Sequence, residues 1–110
     1  MPYDQELLDR VRLIVKRKRS VVESKMFGGV ALMVDGNMAC AIRNDELFVR
    51  LGNAGAEAAL EEEHVRVMDV TGRPMKSYVT VSAQGIANDS DLRRWIERGI
   101  AYARTLPKKP

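Results

Sequence analysis

A single cysteine, Cys40, stands among the 110 residues, so no internal disulfide can form, and there is neither a dithiol redox motif nor a cysteine-based zinc cage. Histidine is as scarce. His64 follows three glutamates and lacks both the companion ligands of a metal site and the partner of a nucleophile–base pair. Aromatic residues make up 5% of the chain, too little for the stacking platforms with which single-strand nucleic-acid binders hold bases. No apolar run approaches the ~20 residues needed to cross a bilayer. The first residues carry Asp4 and Glu6 where a signal peptide would be basic and then apolar. These absences imply a cytoplasmic chain in a reducing compartment, with no membrane partner, metal, cofactor or catalytic set.

What is present is an ordinary globular balance, 45% hydrophobic and 30% charged, in a length that suits one domain over residues 1–110. The net charge of +3 and pI near 9.2 permit contact with nucleic acid. Acids and bases are nevertheless interspersed along most of the chain, and no basic face is visible in the sequence.

Leu7, Leu8, Val11, Ile14 and Val15 recur at helical spacing, which predicts an amphipathic helix from Asp4 to about Lys18, acidic in its first turn and basic in Lys16–Arg19 at its end. After a polar connection, Val30–Val34 and Met38–Arg43 flank Asp35-Gly36, the tight-turn dipeptide of a hairpin, and a turn at Asn44-Asp45 leads to a third strand. Leu47, Val49 and Leu51 are expected to face the core, with Phe48 and Arg50 on a partly wet face. A short helix from Asn53 to about Glu63 follows, then strands at Val65–Val70 and Ser77–Ser82 around a turn at Thr71–Pro74. Asn88, Asp89 and Ser90 offer caps for a last helix whose inner face is Leu92, Trp95, Ile96, Gly99 and Ala103, ending before Pro107 and a frayed tail. The expected fold is α+β, an antiparallel sheet of about five strands with helices on one face.

Four ordered segments carry a resemblance: Lys25–Val30, Asp35–Met38, Leu47–Gly52 and Thr71–Lys76. In this order and spacing the chain resembles the N-terminal domain of the TfoX/Sxy family over nearly its whole length. The resemblance implies a secretion-chaperone-like α+β fold and kinship with bacterial regulators of natural competence. It also implies a stand-alone copy, since the C-terminal helical domain found in such regulators has no counterpart here.

Several segments allow a functional and a structural reading. Met26-Phe27-Gly28-Gly29 either presents backbone amides to an anion or eases entry into the meander while Phe27 packs inside. Thr71–Lys76 is either an anion-docking loop or a plain turn that returns Met75 to the core. Arg73 and Lys76, with Lys25 and Arg50, form the candidate interaction loop. Lys16, Arg17, Lys18 and Arg19 are the alternative nucleic-acid contact, set against a solvated helix end. The methionines at positions 26, 33, 38, 68 and 75 either fill the core or line an adaptable partner surface. Glu61–Glu63 form a solvated acidic face, and Cys40 is a small buried side chain. The leading expectation is a non-enzymatic regulatory domain that contacts a protein partner, self-association included. The alternative is a nucleic-acid-binding accessory domain.

Overall fold

The computed structural model describes residues 3–26, 28–69 and 72–108. Helix α1 (Gln5–Val15) is capped by Asp4, whose carboxylate accepts from the Leu7 amide, and buries Leu7, Leu8, Val11 and Ile14. It stops earlier than expected. Lys16 is its C-cap, so Arg17–Arg19 form a connection that turns at Ser20 in left-handed backbone (φ 63°). The chain then enters a strand that the sequence reading missed, β1 (Val21–Met26), followed by β2 (Gly29–Val34), β3 (Asn37–Arg43) and β4 (Glu46–Arg50). Asp35 and Gly36 both adopt positive φ, 51° and 82°, as the two-residue hairpin turn between β2 and β3 requires.

Helix α2 (Gly52–Ala59) begins one residue before the predicted Asn53 and ends earlier than predicted, so Glu61–Glu63 follow it, with the Glu61 and Glu62 amides closing its last turn. Strand β5 (Val65–Met68) and strand β6 (Met75–Val81) complete an antiparallel sheet of six strands in the order β1-β2-β3-β4-β6-β5. The prediction of about five is corrected by β1. Its Val-Val-Glu-Ser-Lys-Met sequence lacks an apolar run because it is an edge strand with its charged residues in solvent. Val70, Thr71 and Phe27 fall outside the described residues, so the readings placed on them stay as stated. A 3₁₀ turn at Ala83–Ile86 leads to α3 (Asp89–Arg104), capped by Asn88 through a bond from the Asp91 amide (2.8 Å).

The main core lies between the helices and one face of the sheet. It joins Leu8 and Val11 of α1, Ala56 and Ala59 of α2, and Leu92, Trp95, Ile96 and Ile100 of α3 to Leu32, Leu47, Val49, Val79 and Val81. Leu51, expected on this face within a strand, lies just past β4 as the N-cap of α2 and is packed against the core while partly exposed. Each fully buried aliphatic side chain contributes ~1.5–3 kcal/mol relative to exposure. No helix among the described residues is long and apolar enough to cross a membrane.

Helix α3 sits so close to β3 that a Cβ on Gly99 would lie 2.6 Å from the Ala39 carbonyl oxygen and 3.3 Å from Val49 Cγ1. Gly99→Ala should therefore destabilise by ~1–3 kcal/mol through overpacking, although alanine is favoured over glycine within a helix by ~1 kcal/mol. Urea unfolding of the two proteins checks the sign, and a gain in stability contradicts this contact.

Candidate interaction surfaces

The sheet has a second apolar face, to whose cluster no helix among the described residues supplies a side chain, although α2 borders it at Met75 and Tyr78. Ala31, Met38, Ala41, Phe48 and Met68 are buried there, with Met26, Met33, Met75 and Tyr78 partly buried around them. Phe48 is 5% exposed, so the face expected to be partly wet is in its centre dry. The methionines thus form a separate cluster on the side away from the helices. At its margin lies β1, which among the described residues pairs only with β2, leaving one row of backbone amides and carbonyls open. Val22, on the methionine side of that strand, is 61% exposed.

On the helix side of β1, Glu23 accepts from Arg12 of α1 through both guanidinium nitrogens, at 2.7 and 2.9 Å. That hydrogen-bonded pair holds the Glu23 carboxyl below its usual value of 4.5, against the opposing effect of burial. A depressed carboxylate contributes stability in full above its unfolded pKa and loses it as pH falls through the folded one. Arg12→Met should flatten the acid-side loss of stability below pH 4.5, which unfolding midpoints measured along a pH series will show.

The four residues of the candidate interaction loop do not form one patch. Lys25 lies near the Gly29 end of edge strand β1, whereas Arg50, Arg73 and Lys76 belong to the opposite end of the sheet, beyond the intervening strands. Arg50 closes β4 opposite Tyr78, with its guanidinium carbon 5.6 Å from the Tyr78 ring and 5.9 Å from that of Tyr102 on α3. Its Nη1 donates to the Met38 carbonyl at 3.4 Å, and its buried Nε has no partner among the described residues. Burial raises the Tyr78 phenol, with Arg50 acting in the opposite sense. Lys76 and Tyr78 line a cleft of ≈ 440 Å³ whose other wall is Asn53, Ala56 and Leu60 of the α2 segment.

Lys16–Arg19 lie at that same end. There Arg104, from the last turn of α3, reaches across and donates from Nη2 to the Arg19 carbonyl (3.1 Å). Sequence reading missed Arg104 because it stands far along the chain. The signal available was that the first and last helices both end in cations.

A family model described as the TfoX N-terminal domain matches residues 14–103. The chain belongs to this family. No curated protein shows a match.

Within this TfoX N-terminal domain, Asp35–Met38 spans the β2–β3 turn and Leu47–Gly52 runs through β4 into α2. Gly29 begins β2 so close to the Ile42 carbonyl that no side chain fits, and Gly52 opens α2 at φ 78° against the Tyr102 ring. Cys40 is sealed in the main core, where burial pushes its thiol up to about 12, leaving almost no thiolate at neutral pH. His64 is exposed at the start of β5, 3.9 Å from Glu63. Among the described residues no three His, Cys, Asp or Glu side chains are placed to hold a metal.

Cys40 should accordingly resist iodoacetamide in the folded protein and react at the rate of transient opening. Rapid labelling under native conditions, read by intact mass, would contradict the sealed core.

Proposed function

We propose that this TfoX N-terminal domain is a cytosolic, non-enzymatic module of competence-regulator type that works by protein–protein contact, and that the free edge of β1 is where a second copy pairs with it. The observation that carries this reading is the self-complementarity of that edge. If two β1 strands meet antiparallel with Ser24 on the two-fold axis, Glu23 faces Lys25 of the other copy and Val22 faces Met26. Opposite charges meet on the helix side and apolar side chains on the methionine side, each cross-strand pair favourable by ~0.2–1 kcal/mol. Such a contact is isologous and closes as a dimer. It also covers Val22, extends both methionine clusters into one continuous face and removes an edge that otherwise invites unspecific pairing.

Light scattering after size exclusion, across a concentration series, tests this. A dimer is expected for the native chain. Lys25→Glu should shift it to monomer by placing like charges opposite one another, and combining that change with Glu23→Lys should restore it. A monomer at every concentration, or a dimer indifferent to Lys25→Glu, rejects pairing through β1.

A further inference from the structure

We infer that the end of the sheet at which α1 and α3 finish is a docking surface for the phosphate backbone of nucleic acid, a role beyond the proposed self-pairing. Charges interspersed along the chain are sorted to two ends by the fold. Helices α1 and α3 run in the same direction, because Arg10 of α1 pairs with Asp89 at the start of α3 (3.0 Å) and Lys18, just past α1, pairs with Glu97 farther along α3 (3.2 Å). Their capped, acidic first turns therefore lie at one end of the sheet, and the basic connection that follows α1 meets Arg104 of the last turn of α3 at the other.

The strand register carries the sorting across the sheet. One end holds the start of β1, the turn at Asp35-Gly36, the end of β4 and the β5–β6 loop. Lys16 enters there, and Arg17, Lys18, Arg19 and Arg104 line a concavity of ≈ 460 Å³ together with Ser20 and Asp35. Arg50, Arg73 and Lys76 continue the positive charge toward the far edge. Lys108 follows Pro107, whose carbonyl accepts from Asn37 Nδ2 (2.9 Å) and so ties the C-terminal segment to this end. The carboxylates of these connections are Asp35 and Asp69 alone.

The opposite end gathers Asp4, Glu6, Asp45, the Glu61–Glu63 run, Asp89 and Asp91. Some carboxylates of that end are paired, while Asp4, Glu6, Asp45 and Glu61 form no salt bridge among the described residues. Asp89 is met by Arg10, Glu62 by Arg94 and Arg98, and nearby Glu46 by Arg66. Among the described residues, Lys16, Arg17, Arg19, Arg73, Lys76 and Arg104 form no salt bridge with a carboxylate. These unpaired cations give the basic end a field that attracts a polyanion.

Guanidinium predominates among these groups, and its planar fork suits phosphate oxygens. Six strands at ~4.8 Å spacing make this end ~24 Å wide, enough to follow about seven phosphates of one strand at ~3.4 Å each. Contacts of this kind position a protein without reading bases. The expected ligand is therefore a duplex of any sequence, and the acidic end is held away from it by repulsion.

Fluorescence anisotropy of the full chain with a labelled, random-sequence duplex of about 20 base pairs, between about 50 and 200 mM salt, tests the assignment. Neutralising about four phosphates gives a slope of log K against log[salt] near −4. Arg17→Gln with Arg104→Gln should reduce that slope by about two, and charge reversal at both positions should abolish binding. Arg93→Glu, on the outer face of α3, should leave the slope unchanged. Absence of binding at the lowest salt, or equal loss with Arg93→Glu, overturns the inference. So does tighter binding to phosphatidylserine vesicles than to the duplex, or a salt-sensitive oligomer that uses this end in place of DNA.

Discussion

The contact between α3 and the centre of the sheet is the constraint on which the rest of this domain depends. Gly99 lets the helix backbone approach the Ala39 carbonyl, and the same descent seats Trp95, Ile96 and Ile100 over β3 and β4. Once α3 is fixed in place and direction, α1 is drawn alongside it by Arg10 and Lys18, and the segment after α2 is held by Glu62 between Arg94 and Arg98. Arg98 in turn lies over the Trp95 ring at 4.2 Å, so the polar clasp and the buried aromatic share one site on α3. All three helices are thereby committed to one face of the sheet, and the methionine cluster is left on the other.

Two consequences of that commitment concern function. The proposed self-pairing rests on a sheet face that carries no helix residue and is bordered by an edge strand, and the composition of β1 is matched to its own reverse. The shared direction of α1 and α3 separates charge, because it sets their acidic first turns at one end and the cations after α1 and at the close of α3 at the other. A feature selected locally for helix stability becomes, after packing, a property of the whole molecule. The chain belongs to the TfoX N-terminal domain family, with Cys40 sealed in the main core and His64 exposed before β5.

Much of the architecture was legible because its signals are local. The Asp35-Gly36 turn, the helical spacing from Leu7 to Ile14 and the cap at Asn88 each act within a few residues, and each recurs in the structure where the sequence places it. Strand β1 was not legible, since an edge strand buries little and Glu23, Ser24 and Lys25 mask its period. Phe48 was assigned to a partly wet face because alternation tells which residues share a side and is silent about what covers that side. Grouping Lys25 with Arg50, Arg73 and Lys76 failed for a related reason: the order β1-β2-β3-β4-β6-β5 sends Lys25 to the far edge.

By itself the sequence determined the α+β class, the family, the main amphipathic faces and the lack of a cysteine or histidine constellation, because periodicity, turn chemistry and composition are short-range or additive properties. Only the tertiary structure decided which charges are neighbours. Arg19 and Arg104 meet through a backbone carbonyl across most of the chain, and acids spread along the sequence collect at one end of the sheet. Strand order and helix direction set those distances, and electrostatic interaction depends on distance in space, whatever the separation along the chain.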